Sequence, residues 1–261
     1  GLGPELAEDF STTFLLSSAG WQGVFAVDAE AHGEGPLTFA DMLTQEFQWS
    51  RSLTTMLYDL LPHHLHRMRR RLRIRFMYAV AYYPLLALTT ATGLALPPIA
   101  IFTDLPWVNV NYFEFIAHIA SLASWPLLLT LMLRRRNLLR PPDAPLASWE
   151  GALFTIARLP YVALGVLAAT VRTARRQAIT FKVTPKVRNG LERLPARLVV
   201  PYVFVSAGLS ASASYGESHT TRAGYVFLCL VGATSFAAVA TVVPVLHIVE
   251  SARMSGARAF A

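Results

Sequence analysis

Tyr225-Val-Phe-Leu-Cys-Leu-Val-Gly-Ala-Thr-Ser-Phe-Ala-Ala-Val-Ala-Thr-Val-Val-Pro-Val-Leu-His-Ile248 runs for 24 residues without a single Asp, Glu, Lys or Arg. As a helix it would be about 36 Å long, enough to cross a hydrocarbon core about 30 Å thick. Working back along the chain, three further runs have this character: Phe76 to about Ile101, interrupted by Pro97-Pro98; about Phe113 to Leu133; and Leu198 to about Tyr215. A soluble core of this chain's length would show apolar positions recurring with gaps, not runs of membrane length. The 54% hydrophobic content, 15% charged content and mean hydropathy of +0.41 agree with a helical integral membrane domain.

The formal charge of +7 is distributed beside these runs. Arg67, Arg69, Arg70, Arg71, Arg73 and Arg75 precede the first, and Arg134, Arg135, Arg136 and Arg140 follow the second. Arg172, Arg175, Arg176, Lys182, Lys186, Arg188, Arg193 and Arg197 lie before the third, and Arg253 and Arg258 close the last. Arginine at the centre of a span costs roughly 2.5–3.5 kcal/mol on insertion scales, so the clusters mark loop ends. This placement argues for anionic membrane lipid as the partner of the basic residues and against nucleic acid.

Trp149 to Val171 is apolar but contains Glu150, Arg158 and Pro160. If it spanned, the basic loops on its two sides would face opposite compartments, against the positive-inside bias. The reading is therefore four spans, an in-plane helix at 149–171, a cytoplasmic loop at 172–197 and a basic interfacial helix at 51–75 broken at Pro62. The stretch from Thr103 to Tyr112, without Lys or Arg, and the one near Gly216 to Arg222 fall outside. The linker Arg140-Pro-Pro-Asp-Ala-Pro145 is stiffened by its prolines.

Only residues 1–50 have soluble-domain composition. They offer a helix over Pro4 to Ala19, a partly alternating strand over Trp21 to Asp28, a turn at Gly33 to Pro36, and a second helix that begins near Thr38, capped by Thr38 or Asp41, and runs through Trp49. The single cysteine, Cys229, excludes an intrachain disulfide or a cysteine-based metal site. The chain opens at Gly1 with no initiator Met or signal peptide, and its first residues read as the interior of a domain, which suggests a fragment or processed piece.

Three short motifs occur in order. Ala7-Glu8-Asp9 opens the first helix and is followed by Gly20-Trp21; Gln45-Glu46-Phe47-Gln48-Trp49 lies on the second; and Phe181-Lys182-Val183-Thr184-Pro185-Lys186 falls in the basic loop before the third span. In this order, interleaved with spans, the chain resembles the C-terminal part of a processive family 2 glycosyltransferase of the cellulose synthase type. The motifs correspond to that family's TED, QxxRW and FxVTxK. The resemblance implies that residues 1–50 end a cytoplasmic α/β nucleotide-sugar transferase domain and that residues 76–261 form a membrane channel domain.

The implied activity is that of an inverting hexosyltransferase. Sugar from a UDP-sugar, with glucose as the expected sugar, is added to a growing β-glucan-like polysaccharide that passes through the membrane, expected to be the bacterial inner (plasma) membrane. Such a transfer needs a carboxylate to take the proton of the attacking hydroxyl. Asp9 matches that base; acidic residues that merely favour a helix N-terminus are the plainer account of Glu8 and Asp9. Trp49 matches the tryptophan under the acceptor sugar, where a packing or interfacial tryptophan is the alternative.

Gln45 and Gln48 fall at the positions facing the donor diphosphate. Gln48 stands where the family has Arg, and Arg51, one helical turn on, is the candidate for the missing charge. Phe181, Thr184 and Lys186 match a loop that closes over the nucleotide; a basic segment drawn to anionic lipid is the alternative. The family's donor-phosphate cation, Mg or Mn, is held by an aspartate motif absent from these residues, so its ligands are expected outside this chain and the chain is expected not to turn over alone. His63, His64 and His66 have no carboxylate or cysteine clustered with them and read as part of the interfacial helix. Glu114 and His118, on one helix face, fit either a polar path or snorkelling to the outer boundary. A transferase that glycosylates a lipid and a non-catalytic channel or scaffold subunit are the rival functions.

Overall fold

The computed structural model describes all residues except 1–6, 25, 27–28, 30–34, 37, 106–110, 178–193, 220–222 and 259–261. Among the described residues the chain is helical and has no strand. The elements are α1 (Glu8–Ser18), α2 (Phe39–Asp59), α3 (Leu61–His64), α4 (Arg70–Thr103), α5 (Tyr112–Arg135), α6 (Trp149–Ala174), α7 (Val200–His219) and α8 (Ala223–Arg258). Short 3-10 turns lie at Leu65–Arg67 and Ala196–Leu198.

The helix starts follow from their capping residues. Thr38 caps α2: its Oγ1 accepts from Asp41 N at 3.1 Å and donates to Asp41 Oδ2 at 2.8 Å, so cap and third residue satisfy each other. Asn111 caps α5 by accepting from Phe113 N at 3.0 Å, and Ser148 Oγ accepts from Gly151 N at 3.0 Å at the start of α6. At the end of α1, Gly20 takes a φ of +94°, which favours glycine, and the helix stops there.

Two expectations are corrected here. The strand over 21–28 is absent at its described residues, 21–24 and 26, because no neighbouring strand supplies a ladder. Pro97-Pro98 does not interrupt the first apolar run; α4 continues unbroken to Thr103, as helices with proline do when neighbours absorb the lost hydrogen bond. The basic segment at 51–75, read as broken at Pro62, is divided among the end of α2, α3 with Pro62 in its first turn, and the beginning of α4.

Among the described residues four helices are long and apolar enough to cross a membrane: Arg70–Thr103, Tyr112–Arg135, Trp149–Ala174 and Ala223–Arg253. Three coincide with runs read as spans. The fourth is the stretch read as in-plane, while the expected third span, α7, is diluted by Ser206, Gly208, Ser210, Ser212, Ser214 and Gly216 and is not among them.

The chain divides into two compact units. The first comprises residues 1–92, 157–202 and 240–261, and the second residues 93–156 and 203–239. In the first unit Phe14 is fully buried, meets Phe76 edge-on at 5.1 Å, and shares a core with Met56, Leu61, Met68 and Val80. In the second, Ala100, Ile101, Leu209, Ala213, Tyr225, Val226, Cys229 and Ala233 form the core. Small residues let the helices approach closely there: a Cβ on Gly216 would meet Val226 Cγ2 at 2.8 Å, and one on Gly232 would meet Leu209 Cδ1 at 2.7 Å.

Candidate functional site

Four of the residues singled out in the sequence lie on α2. Its buried stripe runs through Leu43, Glu46, Ser50 and Thr54, positions three and four apart, so one face is fixed against the unit. Trp49 lies off that stripe and keeps 47% of its surface open. Gln45 and Gln48 are half-buried between the two, and Gln48 Oε1 is fully enclosed with no hydrogen-bond partner among the described residues. Arg51 lies over the Phe47 ring at 5.8 Å, and its pKa is lowered from the usual guanidinium value, first by burial and then by the charge of Arg172.

What fixes α2 comes from far along the chain. Glu250 of α8 accepts from Phe39 N at 3.0 Å, which caps the first turn a second time. Helix α6 then runs parallel to α2 for about 20 Å. Arg158 Nη1 stands 3.1 Å from Glu46 Oε1; Gly165 lies against Phe47, Ser50 and Arg51; Tyr58 Oη meets Thr170 Oγ1 at 3.2 Å; and Arg172 Nη2 donates to Asp59 Oδ2 at 2.6 Å. Gly165 permits the approach, because a Cβ there would lie 2.7 Å from the Phe47 carbonyl oxygen. Two tyrosines of α4 complete the upper end: Arg158 donates to Tyr82 Oη and stacks its guanidinium 5.6 Å from that ring, and the Tyr83 hydroxyl lies beside Glu46. Burial raises the Glu46 pKa above the usual carboxylate value, with Arg158 and the Tyr83 hydroxyl opposing the shift.

Asp9 belongs to the same unit, exposed in the first turn of α1. No side chain caps that helix, and Glu8 and Asp9 are its two acidic first-turn residues. The placement leaves the carboxylate accessible and is equally what a helix N-terminus favours. Phe181, Thr184 and Lys186 lie outside the described residues. Glu114 and His118 are both exposed, and the His118 ring engages the Glu114 backbone carbonyl, not its carboxylate. Among the described residues no group of three or more His, Cys, Asp or Glu could hold a metal.

Glu46, Arg158, Tyr82, Tyr83, Gly165 and the Asp59–Arg172 pair were not identified by sequence reasoning. Arg158 was visible as a charge inside an apolar run, and Glu46 as the charge on the buried stripe of an amphipathic helix; each is explained by the other. Family models, characterised proteins and solved structures were compared with the chain, and none matches.

Proposed function

We propose that this chain is the membrane end of an inverting, processive hexosyltransferase that uses a UDP-sugar, expected to be UDP-glucose, and moves its β-glucan-like product through the membrane. The observation that carries the reading is Trp49: an open indole on a helix whose other face is buried and ion-paired, flanked by the half-buried Gln45 and Gln48. A flat apolar face beside hydrogen-bonding amides suits a pyranose ring, which is apolar on its faces and polar on its edges. In this reading Asp9 takes the acceptor proton, Trp49 carries the acceptor sugar, and Gln45, Gln48 and Arg51 face the diphosphate. The loop residues Phe181, Thr184 and Lys186 cover the nucleotide. The divalent cation and its ligands belong to a donor-binding portion outside these residues.

The reading is tested in membranes containing the chain together with its donor-binding portion, by incorporation of labelled UDP-glucose into polymer. Trp49→Ala removes the stacking face and is expected to reduce synthesis by about tenfold, the equivalent of about 1.4 kcal/mol, whereas Trp49→Phe retains most of the rate. Equal rates for Trp49→Ala and wild type would remove the acceptor role. Transfer of a single sugar to lipid, with no polymer on a sizing column, would replace the processive reading by the lipid-transferase one.

The packing of α6 against α2 supports an in-plane α6. If α6 crossed the membrane, Arg158, roughly 14 Å from its N-terminus, would sit near mid-bilayer and draw Glu46 and the polar helix α2 with it. Lying in the interface, the same pair keeps its charges near headgroups and water. Cysteines at Asn137 and Gln177 in a Cys229→Ser background flank α6, and an impermeant thiol reagent is expected to find both on one side of the membrane. Labelling from opposite sides would make α6 a span.

A further inference from the structure

We infer that Glu46 and Arg158 are a positioning pair, which sets α2 on α6 so that Trp49 is presented to the acceptor sugar; this rests on the transferase reading of Trp49. Glu46 is 3% exposed and pairs with Arg158 at 3.1 Å. Arg158 is held in turn by the Tyr82 hydroxyl and ring. The pair and the two tyrosines beside it, contributed by α2, α4 and α6, all lie in the first compact unit.

The location of the pair is what makes it a positioning device. Glu46 is three residues before Trp49 and adjacent to Gln45, so the ion pair acts within the same helical turn as the proposed sugar contacts. Further along, α2 meets α6 through the Gly165 contact and through the Asp59–Arg172 pair at its far end. Without Arg158, α2 keeps the Glu250 hydrogen bond at its first turn and the Gly165 and Asp59–Arg172 contacts, and loses the ion pair that fixes its rotation in the turn just before Trp49. Buried ion pairs add little net stability over apolar replacements, yet they fix one register among several. A bare apolar contact at this point would hold α2 without specifying which face turns outward.

A single substitution leaves an unpaired buried charge and risks the fold, so the informative variant is the double replacement Glu46→Leu/Arg158→Met, which removes both charges while keeping bulk. In the full chain with Trp49 as its only tryptophan (Trp21, Trp107, Trp125 and Trp149 replaced by Phe), acrylamide quenching reports the Trp49 surroundings directly. The double variant is expected to keep its melting temperature and to change the Trp49 quenching constant by about twofold, while kcat of the complete enzyme falls roughly a hundredfold, the scale of an ångström of misplacement. Arg158→Lys, which retains the charge opposite Glu46, is expected to restore the wild-type quenching and most of kcat. A folded double variant with wild-type quenching, or with wild-type kcat, overturns the proposal. If the unsubstituted enzyme transfers no sugar, it is the transferase reading that fails, and the quenching comparison alone then decides whether the pair sets Trp49.

Discussion

In the proposed transferase, Asp9→Asn is expected to lower sugar transfer by about two orders of magnitude or more, the scale lost with a general base, and to leave UDP binding within twofold of wild type. The substitution keeps the size and the first-turn position of the side chain and removes only its ability to take a proton. Asp9 is exposed at the start of α1, so no core contact is lost. Glu8→Gln supplies the control, because Glu8 shares the same turn and the same helix dipole. If the two acidic residues serve only the helix terminus, both variants lose the same few tenths to one kcal/mol of stability and neither loses rate. A transfer rate close to wild type for Asp9→Asn in a folded enzyme would leave the helix-terminus account of Asp9 in possession.

The parts of the fold legible in the sequence are those written locally. Thr38 and Asp41, three apart ahead of an amphipathic stretch, announce the start of α2, and the structure places both in the reciprocal cap. Its end was not legible: nothing from Ser50 to Tyr58 breaks a helix, and α2 continues ten residues past Trp49 before Pro62 opens the short α3. Apolar length identified α4, α5 and α8. For α6 and α7 the two available signals oppose each other, since α6 is apolar but carries Arg158, and α7 is free of charge up to Glu217 but rich in Ser and Gly. The contacts that hold the candidate site were beyond local reading, because α2 receives its fixing partners from α4, α6 and α8, each far away along the chain. A motif gives the side chains their order on α2. Which face of that helix is open depends on where Arg158, Gly165 and Arg172 come to lie.

Gly165→Ala is the substitution expected to disturb the α2–α6 contact most. The added methyl would lie 2.0 Å from Ser50 Oγ, 2.7 Å from the Phe47 carbonyl oxygen and 3.1 Å from Arg51 N. The first clash is soft, because Ser50 Oγ can rotate if it gives up its 3.0 Å hydrogen bond to the Phe47 carbonyl. The other two involve the backbone of α2 and are relieved only if the helices part. Parting is resisted at both ends, by the Glu46–Arg158 pair at 3.1 Å and the Asp59–Arg172 pair at 2.6 Å. Overpacking of this kind costs about 1–3 kcal/mol, which for a chain of this size corresponds to a melting temperature lower by about 2–12 °C. Adding Ser50→Ala to Gly165→Ala removes the hydroxyl but not the carbonyl, so it should recover only part of the loss. Because the helix that must yield carries Trp49 and Gln48, the transfer rate should fall together with the melting temperature. An unchanged melting temperature and rate for Gly165→Ala in detergent would mean that α2 and α6 do not approach at Gly165 as closely as described, and the α2–α6 packing would lose its middle contact.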